Sequence, residues 1–167
     1  ADATGIANYY GLSKEDYSAA FDASYYYNHY GDLQEAYGYD EKALLNHFLN
    51  YGLAEGRVAS PIFDIAYYKK NNQDLVAAYG NDLKKYCTHF AVYGMNEGRQ
   101  GCASFNVNSY KLQYADLRQA YGNDLSKYYE HYLKYGYREN RKGTGCTSRQ
   151  GYVTQYNGVD YASVYNC

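Results

Sequence analysis

His47, His89 and His131 recur at a spacing of 42 residues, and a glutamate and an arginine follow each: Glu55 with Arg57, Glu97 with Arg99, Glu139 with Arg141. A histidine near a carboxylate is the material of an acid–base pair or a metal site. None of the three has a second histidine or carboxylate at a spacing that makes a ligand pair on one helix, so metal chemistry is not favoured. Each reads instead as a structural histidine at the edge of a buried stripe, bonded to a neighbouring carbonyl or carboxylate. His29 stands outside the pattern. The glutamate–arginine pairs read as turn-fixing ion pairs or bridges between consecutive units, with a polar ligand-binding row as the functional alternative.

Other catalytic arrangements are missing. There is no G-x-S-x-G, no H-E-x-x-H and no cysteine set with a recurring histidine. A carboxylate pair across a cleft is a three-dimensional property that the sequence leaves open, but caps account for most Asp and Glu. The sequence predicts no catalytic residue, no metal and no cofactor. Cys87, Cys102, Cys146 and Cys167 contain no CxxC pair and read as two disulfides. A Cys87–Cys102 bridge with Cys146–Cys167 is favoured over Cys102–Cys146 with Cys87–Cys167.

Twenty-seven tyrosines stand beside five phenylalanines and no tryptophan. A tyrosine ring supplies apolar area while its hydroxyl stays wet or finds a partner, which suits thin cores and also suits stacking on sugars or on partner proteins. The internal repeat sorts these roles. Tyr27 corresponds to Lys69 and Lys111, and Tyr39 to Asn81 and Asn123, which marks both tyrosines as solvent-facing. Tyr86 and Tyr128 correspond to Leu44, and Tyr129 to Leu45 and Cys87, which marks core. Tyr26, Tyr37, Tyr51 and their copies are constant in all units and are expected to build helix packing. Tyr25, Tyr27, Tyr30 and Tyr39, then Tyr67 and Tyr114, are the candidate ligand-binding rings.

The elements that must position these groups follow from the same register. Phe21, Phe63 and Phe105 open the units, giving residues 21–62, 63–104 and 105–145, with a run-in over 1–20 and a tail over 146–167. The period is that of tandem-repeat architectures, in which each unit buries its apolar face against its neighbours. The predicted class is all-α, with three short helices per unit and a Gly-rich C-terminal tail. Asp22, Asp64 and Asn106 cap the first helix of each unit. Asp32, Asp74 and Asp116 start the second, which ends at Gly38, Gly80 or Gly122. Asp40, Asp82 and Asp124 cap the third, which carries Leu44, Leu45, Phe48 and Tyr51 in unit one. Gly52, Gly94 and Gly136 are expected to close that helix in a left-handed conformation. The tail segment Asp160–Asn166 echoes Asp16–Asp22, as a further unit's start or a cap.

Charge narrows the partners. With 16 Lys and Arg against 18 Asp and Glu there is no basic stripe, which disfavours nucleic acid. No run of about 20 apolar residues occurs, so no transmembrane segment is predicted. The chain begins at Ala1 and its only methionine is Met95, which reads as a mature or excised segment.

The pattern F-D-x-x-Y-Y…D-L…A-Y-G-x-D…H-F…Y-G…E-G-R, as it stands in Phe63–Arg99 with Asn81 before Asp82, resembles the short helical repeats found in tandem in secreted and surface proteins of gut Firmicutes. Such repeats often lie beside lysozyme-like, amidase-like or other polysaccharide-acting domains. The resemblance covers Asp16–Arg141 and the tail echo, with departures at Asn106, Ser109, Asn140 and the four cysteines. It implies a secreted or cell-surface location and an accessory role. The expected function is non-catalytic binding of a cell-wall or dietary glycan through exposed tyrosines. A structural spacer or protein-interaction module for a partner surface protein is the alternative, and a cell-wall hydrolase a distant third.

Overall fold

The computed structural model describes residues 17–145; the tail echo, Cys146 and Cys167 lie outside them. Helices α1 (Ala23–His29), α2 (Gly31–Tyr37) and α3 (Glu41–His47) form a first triplet. The same arrangement returns as α4 (Ile65–Asn71), α5 (Gln73–Tyr79) and α6 (Leu83–His89), and again as α7 (Val107–Gln113), α8 (Ala115–Tyr121) and α9 (Leu125–His131). Each third helix runs on as one π-helical turn, over Phe48–Gly52, Phe90–Gly94 and Tyr132–Gly136. The described chain is all-α, with isolated β-bridges and no strand.

Seven-residue helices are too short to persist alone, so caps and packing hold them. Asp22 accepts from the Tyr25 N–H at 2.9 Å, Asp64 from Ala66 N–H at 3.0 Å, and Asn106 from Ser109 N–H at 3.0 Å. Asp40 caps α3 through Ala43 N–H at 3.1 Å. Asp82 and Asp124 make no such bond and pair with Lys85 and Lys127 instead. Each triplet is also tied end to end. Asp22 N–H reaches Ala59 O at 2.7 Å, Asp64 N–H reaches Gly101 O at 3.0 Å, and Asn106 N–H reaches Gly143 O at 2.9 Å.

The core is aromatic. Phe21 packs on Phe48, Phe63 on Phe90 and Phe105 on Tyr132, with ring centroids 5.7, 5.1 and 4.6 Å apart. Leu44, Tyr86 and Tyr128 are buried, as are Leu45, Cys87 and Tyr129, in agreement with the internal substitution pattern. Tyr129 joins the second triplet to the third: its hydroxyl donates to Arg99 O at 2.6 Å and its ring meets Phe90 and Phe105. First and third triplets meet where Tyr25 faces Tyr137, centroids 5.7 Å apart.

Two expectations are corrected here. Gly52, Gly94 and Gly136 are not left-handed; they lie in the π turn, where a Cβ would collide with the hydroxyl of Tyr26, Tyr68 or Tyr110. The left-handed residues come later, at Gly56 (φ 74°), Gly98 (φ 73°) and Asn140 (φ 59°). Asparagine tolerates that conformation, which accounts for E-N-R in the third segment. The expected Cys87–Cys102 disulfide is not formed: both are buried free thiols. Cys87 fills the core slot that Leu45 and Tyr129 take elsewhere, while Cys102 Sγ lies 3.5 Å from Pro61 O and 3.5 Å from Ser104 Oγ. The pairings through Cys146 and Cys167 lie outside the described residues.

Candidate ligand-binding surface

Beneath the surface of each triplet, one tyrosine hydroxyl meets one imidazole. Tyr26 Oη lies 2.9 Å from His47 Nδ1, Tyr68 Oη 2.8 Å from His89 Nδ1, and Tyr110 Oη 2.8 Å from His131 Nδ1. Burial lowers the pKa of all three histidines, with the neighbouring arginine acting in the same direction. Burial also raises the three tyrosines well above their usual range. The phenol therefore keeps its proton and the imidazole stays neutral, so with the imidazole proton on Nε2 the phenol donates to Nδ1. The Nε2–H of His47 and of His89 then points toward Glu55 and Glu97, each 3.8 Å away.

The arginines behind these histidines are fully occupied. Arg57 grips Asp32 through both terminal nitrogens at 2.9 and 2.7 Å, Arg99 grips Asp74 at 3.0 and 2.8 Å, and Arg141 grips Asp116 at 3.1 and 2.9 Å. Their Nε atoms face Glu55, Glu97 and Glu139 at 3.2, 3.1 and 3.0 Å. The hydrogen bonds from each guanidinium hold Asp32, Asp74 and Asp116 below the usual carboxylate range. These aspartates therefore anchor arginines of their own triplet, and the second helices carry no side-chain cap. The arginines bridge within a triplet rather than between consecutive ones.

Tyr30 and Tyr114, expected as ligand-binding rings, serve the same anchor. Arg57 lies over the Tyr30 ring at 4.8 Å and Arg141 over Tyr114 at 4.7 Å. Their hydroxyls accept from Val58 N–H at 2.8 Å and Lys142 N–H at 2.7 Å. Asn72 takes their place in the middle triplet, bonding Arg99 at 2.8 Å. Tyr67 is half-buried on α4.

The outer layer departs from expectation. Tyr51, Tyr93 and Tyr135, constant in the repeat and assigned to packing, are 60%, 59% and 57% exposed. Each flanks the histidine of its triplet, with centroids 5.7, 5.8 and 5.6 Å from His47, His89 and His131. Tyr37 is likewise exposed and lies 5.9 Å from His47, while Tyr79 and Tyr121 sit half-buried 6.2 Å from theirs. In every triplet an imidazole therefore lies between two rings. In the third, Tyr121 and Tyr135 wall a hollow of about 270 Å³ over His131, with Lys127, Glu130 and Lys134 on its rim.

A wider groove separates α1 from the segment after α9. One part, about 440 Å³, lies between Tyr39 and Tyr135, and the other, about 280 Å³, between Tyr25 and Tyr137. Asp22, Leu133 and Arg138 line both. Tyr25 stacks on His29 at 3.8 Å, and burial with Tyr137 beside it pushes its pKa up to about 12. Tyr39 meets Tyr27 edge to face at 5.4 Å, where the other triplets bond Lys69 to Asn81 at 3.0 Å and Lys111 to Asn123 at 2.8 Å. The structure thus brings Tyr25 and Tyr39 to one groove, supports Tyr39 with Tyr27, and places Tyr30, Tyr67 and Tyr114 elsewhere. Sequence reasoning missed Tyr135, Tyr137 and Arg138. Constancy hid the first of these, since a position kept in every unit looks like packing.

Among the described residues no cluster of three or more His, Cys, Asp or Glu could hold a metal, and no helix is long and apolar enough to cross a membrane. Compared with known proteins, the chain matches no family model, no curated protein and no solved structure.

Proposed function

We propose that the chain is a non-catalytic binding module built of three tandem repeats, residues 21–62, 63–104 and 105–145, which recognises a cell-wall or dietary glycan through exposed tyrosines. One observation carries the reading: Tyr51, Tyr93 and Tyr135 recur in register and remain exposed beside His47, His89 and His131. Packing explains a recurring buried ring, whereas a recurring exposed one leaves a ring face open to a ligand in every triplet. Sugar C–H faces pack on such rings while carboxylate and ammonium groups at the rim meet hydroxyls. The resemblance of Phe63–Arg99 to tandem repeats of secreted Firmicutes proteins supports a secreted or cell-surface location.

A rigid spacer or protein-contact module is the second reading, and the buried joint at Tyr129 favours it by fixing the second triplet to the third. A hydrolase would need two carboxylates free for acid–base work, whereas Asp22 in the groove already accepts the Tyr25 N–H. Retention of the purified chain on insoluble glycans, peptidoglycan and starch among them, tests the proposal against a variant lacking the three exposed rings.

A further inference from the structure

The hollow over His131 and the two parts of the groove adjoin one another along shared walls. Tyr135 and Lys134 line both the hollow and the wider part of the groove, and Arg138 lines both parts of the groove. A path therefore runs from Tyr121 past Tyr135 and Tyr39 to Tyr137 and Tyr25. Rings in succession along an open path suit a polymer rather than a single sugar.

The charges on this path are not all committed. Asp22 caps α1, and Arg57, Arg99 and Arg141 are each locked onto an aspartate. Arg138 makes no hydrogen bond or ion pair among the described residues, and neither does the Lys134 ammonium. Glu41, which has a partner of its own, and Glu130 are the other carboxylates lining the path. An unpaired guanidinium that lines the groove with Tyr135 and Tyr137 can take a carboxylate in a two-point bond, which a neutral sugar does not offer.

We propose that this path holds a linear glycan whose sugars carry carboxylates. The rings seat its C–H faces, and Arg138, assisted by Lys134, takes a carboxylate. The proposal rests on the glycan-binding reading above: it adds the charge of the ligand and places one stretch of it on the third triplet, where Tyr135 lies on the path and Tyr51 and Tyr93 do not.

Affinity electrophoresis of the full chain through gels containing polygalacturonate, or the same polymer as its methyl ester, tests it. The acid form is expected to retard the wild-type chain and the ester to do so much less, with Arg138→Ala weakening retardation by the acid form about tenfold, as loss of a charge-assisted pair implies. Lys70→Ala makes the same charge change on α4, away from the path, and is expected to behave as wild type. Equal retardation by acid and ester would overturn the charge inference and leave the glycan reading standing. Preference for the acid form that survives Arg138→Ala would overturn the placement. If neither polymer retards the chain and no insoluble glycan holds it, the glycan reading itself fails.

Discussion

The Tyr68 hydroxyl is hydrogen-bonded to His89 Nδ1 across 2.8 Å and sits so close to Gly94 that a Cβ there would strike it. The same three-way contact joins Tyr26, His47 and Gly52, and Tyr110, His131 and Gly136. One buried hydrogen bond thus fixes an imidazole, dictates a glycine and places the exposed ring one residue before that glycine.

Removing either partner of that contact has a signed consequence. Tyr68→Phe leaves Nδ1 of a buried imidazole unsatisfied and is expected to cost about 1–3 kcal/mol in urea unfolding. Gly94→Ala forces the hydroxyl aside and is expected to cost a similar amount, about 1–3 kcal/mol. Because the clash needs the hydroxyl, the double variant should lose less than the sum of the two. Strict additivity would mean that position 94 requires glycine for another reason.

Acid should destabilise the chain over two pH ranges. His47, His89 and His131 have folded-state pKa values below the ordinary 6.5, so below that pH the unfolded chain binds more protons than the folded one. Stability is full above 6.5 and falls as pH drops through the lowered values. Asp32, Asp74 and Asp116, lowered from 3.8, add a second loss as pH falls below that value. Urea midpoints should decline as pH falls below 6.5 and again below pH 4. A flat profile from pH 7 to 5 would contradict neutral, buried imidazoles.

Two thiols should be silent until the chain unfolds. Burial raises the pKa of both Cys87 and Cys102, and the reactive thiolate is correspondingly scarce. Native alkylation followed by peptide mapping should find both unmodified, and alkylation in denaturant without reductant should modify both. A Cys87–Cys102 crosslinked peptide would contradict the structure.

Tyr27 and Tyr39 should be exchangeable as a pair. The positions touch in every triplet, as two rings in the first and as Lys69–Asn81 and Lys111–Asn123 in the others. Tyr27→Lys with Tyr39→Asn is expected to keep stability within about 0.5 kcal/mol of wild type. A loss well beyond that would show that the ring pair supports the first triplet in a way the internal copies do not.

Much of this was legible in sequence because it is local. Asp22, Asp64 and Asn106 cap helices a few residues away, and the exchange of Leu44 for Tyr86 and Tyr128 marks core without a structure. Contacts between distant positions were not legible. Nothing in the chain between Asp32 and Arg57 announces their ion pair, so the aspartate reads as a cap and the arginine as a bridge to the next unit. Gly52 reads as a helix terminator because the hydroxyl that requires it comes from Tyr26, a helix away. Tyr51 reads as packing because constancy within a repeat does not separate what stacking needs from what a ligand needs. Burial separates them.

Binding isotherms on the insoluble glycan that retains the chain best, measured for wild type and for Tyr51→Ala/Tyr93→Ala/Tyr135→Ala, test the central claim most directly. Exposed rings contribute little to folding, so the variant should unfold within about 1 kcal/mol of wild type. Its binding is expected to fall at least tenfold, since stacked rings contribute roughly 1 kcal/mol or more each. A folded variant that binds as wild type does would contradict the claim that the recurring exposed tyrosines are the ligand-binding surface.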